Sequence, residues 1–337
     1  ERGINFFDCA NTYAGGRAEE ILGRLMTSER NQLVIASKTY NAIGKDINST
    51  GSSRRYLKLA VEQSLKRLGT DRLDILFMHR FDDLTPLEET LRGIEDLVRE
   101  GKVLYPGASN FAAWQVSKAL GIAERRAWSR FEVMQPMYNL VKRQAEVEIL
   151  PLASSEELAV ISYSPVGGGL LSGKFSATSR PANARLVDNK MYAKRYSDDW
   201  AYTTAGEFTE LASAEGVHPV SLAVAWVNAH PAITAPIIGA RNLEQLKPSL
   251  DAIDVEMNAA TEWVGFVSRV AEQTWPDADS WYLGANIPGK PRIFLPLVGC
   301  ECLALSVLLG QNACSSVDWM EAGWNCAIVD CMSCMCL

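Results

Sequence analysis

Short apolar runs that end on a polar or small residue alternate along this chain with stretches whose apolar positions fall at helical spacing, and that alternation most constrains the fold. The runs are Ile4 to Asp8, Leu33 to Lys38, Leu73 to His79, Val103 to Ser109, Val133 to Tyr138, Ala159 to Ser164 and Ala235 to Gly239. Strands separated by helices pair in parallel, because the crossover returns the chain in the same direction. The helical stretches carry their own punctuation. Ala18 to Met26 shows helical spacing, and a longer amphipathic stretch from Ser53 to about Leu68 is stopped by Gly69. Thr85 is expected to cap the next helix, with Pro86 in its first turn, Glu88 and Glu89 near the positive end of its dipole, and Gly101 at its end.

At 337 residues, 47% of them hydrophobic, the chain can bury a sizeable core as one α/β barrel or as two smaller domains. Its formal net charge of −7 argues against a nucleic-acid partner, since phosphate binding needs a basic face. Arg54, Arg55, Lys58, Lys66 and Arg67 lie along an expected helix and read as a solvated face. No leader peptide is readable ahead of the first strand, so a cytoplasmic protein is expected.

The residues that end the runs carry the chemistry. Asp8 ends the first, Tyr13 follows in the next loop, Lys38 ends the second and His79 the third. Singly, these read as a loop cap, a packing ring, a surface charge and a core histidine. At the ends of parallel neighbours they converge. Reducing a carbonyl requires a hydride donor, a proton donor for the developing alkoxide, and a means of making that donor acidic near neutral pH. Tyrosine alone, with a reference pKa of about 10, is too weak an acid. A neighbouring ammonium favours its ionised form, and a carboxylate holds that ammonium charged and oriented. Tyr13, Lys38 and Asp8 fit these roles, and His79 could orient the carbonyl oxygen or share in the proton transfer.

In this order and setting, Asp8, Tyr13, Lys38 and His79 resemble the catalytic tetrad of the aldo-keto reductases, over about residues 1 to 270. The resemblance implies a (β/α)8 TIM barrel that uses NADPH/NADP+ to reduce an aldehyde or ketone, a small-molecule substrate, with hydride from the nicotinamide and a proton from Tyr13. It also implies the cofactor contacts. Ser109 and Asn110, in Gly-Ala-Ser-Asn-Phe, and Gln135, in Met-Gln-Pro-Met-Tyr-Asn, match positions that bind the nicotinamide carboxamide, and Tyr163 matches the ring that stacks on it. Ser164, Pro165, Gly167, Leu170, Gly173 and Lys174 follow, in a glycine run that lets backbone amides approach a diphosphate. Gly239, Ala240, Arg241, Gln245 and Ser249 lie where a strand runs into a helix N-terminus, and the family places the adenosine 2′-phosphate there. NADPH is therefore expected over NADH. Ser249 stands where the family often has Asn. No Gly-x-Gly-x-x-Gly opens a βαβ unit, so a Rossmann domain is not expected, nor is a metal site.

A closed barrel of this family needs eight strands, and seven are recognisable. The family supplies the other, with a helix, ahead of the point where this chain starts. The barrel is thus expected to be N-terminally incomplete, to stay open between its first and last strands, or to have its gap filled by another segment. An open barrel exposes two unpaired edges. Substrate choice rests on the loops Tyr40 to Ser53, Arg80 to Thr85 and Phe175 to Tyr202. The last of these either covers the cofactor, contacts an aromatic or polyketide-like carbonyl, or is solvated. Beside the reductase stand two rival readings, an NADPH-binding regulatory subunit and an inactive truncated reductase.

The barrel is expected to span residues 1–274 and an unrelated Cys-rich extension, disordered or non-native, residues 275–337. Cys300, Cys302, Cys314, Cys326, Cys331, Cys334 and Cys336 all lie in the extension and only Cys9 outside it, which is no disulfide framework for a barrel. Phe294 to Gly310 is apolar but short for a membrane helix and contains Glu301. Cys331 and Cys334 formally make a Cys-x-x-Cys pair, and Cys334 to Leu337 formally a prenylation box; both are read as chance in so cysteine-rich a stretch.

Overall fold

The computed structural model describes residues 3–26, 29–182 and 184–257, with Phe266, Val270 and Ile328–Asp330. Seven parallel strands form successive neighbours: β1 (Phe6–Asp8), β2 (Val34–Thr39), β3 (Leu73–Met78), β4 (Val103–Ser109), β5 (Val133–Gln135), β6 (Ala159–Ser162) and β7 (Ala235–Ile238). The helices are α1 (Arg17–Leu25), α2 (Arg54–Leu68), α3 (Leu87–Arg99), α4 (Ala113–Arg126), α5 (Ile149–Ser155), α6 (Arg185–Asp188), α7 (Lys190–Arg195), α8 (Asp199–Ala214), α9 (Pro219–Asn228) and α10 (Leu243–Leu250). This is the TIM-barrel architecture that the resemblance implies, built on the parallel pairing that the alternation predicts. The gap beside β1 is filled by β8 (Ile328–Asp330), parallel to both neighbours, with Ile328 opposite Phe6 and Ile237, and Asp330 opposite Asp8. Of the possibilities for the gap, this is the one in which another segment of the chain closes the barrel, and it leaves β1 and β7 without an open edge.

Local chemistry sets the element ends. The Ser53 hydroxyl accepts the Tyr56 N–H at 3.3 Å to start α2, and Gly69, at φ 64°, ends it. The expected Thr85 cap is not formed: its hydroxyl donates to Asp82 Oδ2 at 2.7 Å, and Pro86 occupies the cap position before Leu87. The fifth strand stops at Gln135, short of Tyr138, because Pro136 has no N–H to continue the ladder.

Strand alternation then sorts the side chains. One parity of each strand faces the barrel interior, where Phe6, Val34, Ala36, Ile75, Phe77, Val133, Ile161, Ala235 and Ile237 form a core of their own. Gly107 leaves room in it for Phe77, whose ring would lie 2.5 Å from a Cβ at that position. The other parity packs against the helices in a larger core that includes Ile35, Leu76, Met78, Ala108, Met134 and Val160. Carried one step further along each strand, the interior parity reaches Asp8, Lys38, His79, Ser109, Gln135, Tyr163 and Gly239. These form the top layer of the barrel, above an apolar floor.

Among the described residues no helix is long and apolar enough to cross a membrane. The apolar run Phe294 to Gly310 and both cysteine patterns of the tail lie outside the described residues.

Candidate active site

The Lys38 ammonium has three protons, and three acceptors surround it: Asp8 Oδ2, the Cys9 carbonyl at 2.9 Å and the Tyr13 phenol oxygen at 3.2 Å. Lys38 and Asp8 are each 1% exposed, so their pair is shielded from water. The second Asp8 oxygen accepts the Gln135 side-chain amide at 2.9 Å. Tyr13 is brought over this pair by a turn in which Ala14 and Gly15 take left-handed φ values of 46° and 68°. Its ring meets that of His79 edge-on, with centroids 5.9 Å apart at 74°. The four residues that the sequence assigns to the tetrad are thus brought together.

His79 sits one residue beyond β3. Asn41 donates its side-chain amide to His79 Nδ1 at 3.2 Å, which leaves the ring proton on Nε2 as a donor. Burial, then the Lys38 and Arg80 charges, push the imidazole pKa down to about 3, so the ring is neutral at physiological pH.

The residues matched to nicotinamide positions form one hydrogen-bonded chain. The Ser109 hydroxyl donates to the Gln135 backbone carbonyl at 2.9 Å and accepts from the Asn110 amide at 3.0 Å. The same Asn110 amide donates to the His79 carbonyl at 2.9 Å, and Asn110 Oδ1 accepts the Tyr163 hydroxyl at 2.8 Å. Asn110 and Ser164 both hold left-handed φ values, 56° and 61°. Such strain in non-glycine residues gathers where surrounding contacts over-determine a site. Burial raises the Tyr163 phenol pKa against the opposing charge of Arg195. Asn110, Gln135 and Tyr163 also border a mostly apolar cavity of about 190 Å³, walled by Phe111, Met134 and Ile149.

The loop after β6 carries Gly167, Gly168 and Gly169 at φ 60°, 68° and 105°. A Cβ on Gly168 would lie 2.5 Å from the Tyr192 ring, so this position needs glycine for both reasons. Pro165 and Leu170 are buried, whereas Gly173 and Lys174 are exposed. The segment from Phe175 to Tyr202 is anchored by a few buried side chains between exposed stretches. Tyr192 and Tyr196 from it are buried against the glycines, and Asn139 bridges the two sides by donating to Tyr196 Oη at 3.1 Å and to the Ser164 carbonyl at 3.0 Å. The Arg195 guanidinium lies over Tyr163 and Tyr192, at 5.9 and 5.3 Å from their centroids.

On the neighbouring rim, β7 leads through exposed Gly239, buried Ala240 and exposed Arg241 into α10. Asn242 caps that helix by accepting the Gln245 N–H at 2.9 Å, and Gln245 Oε1 accepts the Arg241 N–H at 3.3 Å. Ser249 is buried on the helix.

Three contributors carry no signal that singles them out in the sequence: the Cys9 carbonyl, which is backbone, and Asn41 and Asn139, which read as loop amides. A fourth is the buried pair that props the loop after β5. Arg143 donates from Nε and Nη2 to the two oxygens of Glu146, each at 2.8 Å, and Tyr138 donates to Glu146 Oε1 at 2.5 Å. Burial, then the Glu146 charge, push the Tyr138 phenol pKa well up.

Residues 1–261 match the sequence model described as the Aldo/keto reductase family. The chain is 36% identical over 270 residues to "Uncharacterized oxidoreductase YrpG" of Bacillus subtilis (strain 168), which covers 77% of this chain and 80% of that protein. It is 36% identical over 278 residues to "Probable voltage-gated potassium channel subunit beta" of Oryza sativa subsp. japonica, with 81% and 84% covered. To "Versiconal hemiacetal acetate reductase" of Aspergillus parasiticus it is 31% identical over 278 residues, with 76% and 80% covered.

Proposed function

The chain belongs to the aldo/keto reductase family, and on that premise we propose that it is an NADPH-dependent reductase that converts an aldehyde or ketone to an alcohol. The observation that carries this reading is the Lys38 ammonium, bonded at once to the Asp8 carboxylate and to the Tyr13 phenol.

The chain's residues fit the cofactor. Ser109, Asn110 and Gln135 offer the paired amide and hydroxyl groups that a neutral carboxamide needs, and Tyr163 lies beside them. In the glycine loop Gly169 has nothing within 4 Å of where a Cβ would stand, which leaves backbone there open to a diphosphate, with Arg195 nearby and Lys174 exposed. Arg241, exposed ahead of α10, offers a fork of donors that is unpaired among the described residues for a 2′-phosphate, with Gln245 and Ser249 on the same helix.

When bound, the reduced nicotinamide supplies the hydride. His79, neutral and protonated on Nε2, donates a hydrogen bond to the carbonyl oxygen and so orients it. Tyr13 gives its proton to that oxygen as charge develops there. Lys38 stabilises the charge left on the phenol oxygen, and Asp8, held by Gln135, keeps the ammonium in place.

The test is titration of the purified chain with NADPH, followed by quenching of tryptophan fluorescence, with NADH in parallel. Saturable binding that favours NADPH is expected. Tyr13→Phe is expected to keep that affinity and lose turnover by about 10²-fold or more. A folded chain that binds neither nucleotide, or a Tyr13→Phe variant with unchanged turnover, refutes the reading. Kinship with probable voltage-gated potassium channel β subunits supports a second reading, in which the chain binds NADPH and serves a partner. Tight cofactor retention with very slow turnover on every carbonyl tried would favour it.

A further inference from the structure

We propose that Arg80 recognises an anionic group, a carboxylate in the simplest case, on the carbonyl substrate, so that the substrates are oxo acids and aldehydes that carry an acid. The inference deepens the reductase reading and rests on it.

The Arg80 guanidinium lies 5.2 Å from the centre of the Tyr40 ring, close enough for the ring face to attract and orient it. Both residues flank the tetrad in the chain, Tyr40 two residues after Lys38 and Arg80 directly after His79. Stacking fixes the plane of a guanidinium without using its N–H groups, and these form a fork that matches a carboxylate. Buried or paired arginines elsewhere have their charge met: Arg30 by Asp74, Arg67 by Glu19, Arg143 by Glu146 and Arg180 by Asp199. Arg80 makes no ion pair among the described residues.

Neighbouring carboxylates do not serve it. Asp82, in the same loop, accepts from the Ser52 N–H at 2.7 Å, the Leu84 N–H at 3.0 Å and the Thr85 hydroxyl at 2.7 Å. Asp83 is exposed and makes no ion pair among the described residues, while Asp46, in the facing loop, takes the side chains of Asn48 and Ser49. The Lys38 and Arg80 charges both act on the imidazole of His79. In a chain of net charge −7, Arg80 is thus a cation at the mouth of the site that no carboxylate among the described residues pairs.

The cofactor's phosphates do not account for that charge. Their proposed contacts follow β6 and β7, and in a closed ring of eight strands β3 lies across from β7. Arg80 thus stands on the rim opposite Arg241, on the side left to the substrate.

The experiment compares 4-carboxybenzaldehyde with its methyl ester, which share ring and aldehyde and differ in charge, using the full chain, R80Q and R80K with saturating NADPH. The full chain is expected to favour the acid by at least tenfold in kcat/KM, and less so as salt rises. R80Q is expected to lower kcat/KM for the acid by roughly 10- to 100-fold, chiefly through KM, and for the ester at least tenfold less. R80K, with charge but no fork, should fall between. No preference in the full chain, or an equal loss on both aldehydes in R80Q, overturns the proposal.

A binding arm separates this inference from the reading beneath it: benzoate and methyl benzoate are titrated against the NADP+-saturated chain by tryptophan fluorescence. Benzoate that binds the full chain and not R80Q, with neither aldehyde reduced, sinks the reductase reading and leaves the anion site. Aldehydes reduced while benzoate fails to bind sink the anion site alone.

Discussion

Arg143→Ala removes one half of an ion pair that the rest of the protein cannot screen. The side chains of Arg143 and Glu146 are 1% and 2% exposed. With the guanidinium gone, the Glu146 carboxylate keeps the Tyr138 hydroxyl as a donor but loses its counter-charge, a change that costs about 3–5 kcal/mol at buried pairs. The guanidinium also lies 5.5 Å from the Trp226 ring centre, a cation–π contact of about 0.5–2 kcal/mol. A loss of roughly 4 kcal/mol follows, or a fall in Tm of about 8 °C at the roughly 2 °C per kcal/mol suited to a chain this long. Urea and thermal unfolding of the purified variant measure it. Arg143→Met combined with Glu146→Gln is the informative partner, since it removes both charges and leaves Tyr138 an acceptor. It should recover most of the loss. The loop so propped carries Asn139, which bridges Ser164 and Tyr196, so NADPH affinity should weaken in the single variant and return in the double. A loss below about 1 kcal/mol, or a double variant no better than the single, would refute the argument from charge.

Gly168→Ala should lower NADPH affinity by roughly tenfold or more, because a Cβ at φ 68° is strained and meets Tyr192 at 2.5 Å; fluorescence titration checks it, and adding Tyr192→Ala should restore part of the loss. His79, whose folded pKa of about 3 lies below the ordinary 6.5, should stay neutral to about pH 4 by ring NMR. Because the unfolded chain takes up that proton first, the stability tied to His79 is full above pH 6.5 and is lost as the pH falls towards 3. His79→Gln should flatten that part of the urea profile, and an imidazolium signal at pH 6 would exclude the assignment.

The site's main layer was legible because it follows from a period of two. Once Phe6, Ala36 and Phe77 are taken as interior, Asp8, Lys38 and His79 must be interior as well. Other parts carry no such pattern. Arg143 and Glu146, three apart in a polar stretch, look in sequence like a solvated pair, and only the packing of Tyr138 and Trp226 around them makes the pair a buried one. Tyr192 and Tyr196 fall in a segment rich in charge, and their burial depends on three glycines some 25 residues earlier that take left-handed turns beneath them. Arg80 beside His79 looks like an ordinary loop cation until the described residues are seen to offer it no carboxylate partner.

The eighth strand is the hardest case, and it bears on the chemistry. Three residues, Ile328 to Asp330, are too few to show a period, so it is their pairing with β1 and β7 that identifies them as a strand. β1 is just as short. Its three residues are held by β2 on one side and β8 on the other, with Asp8 aligned to Ala36 and to Asp330. A strand that brief gains little from its own propensity and much from two flanking ladders. Asp8 is the residue that holds Lys38, and Lys38 holds Tyr13. The position of Tyr13 therefore depends, through β1, on a segment far down the chain that the sequence sets apart from the barrel.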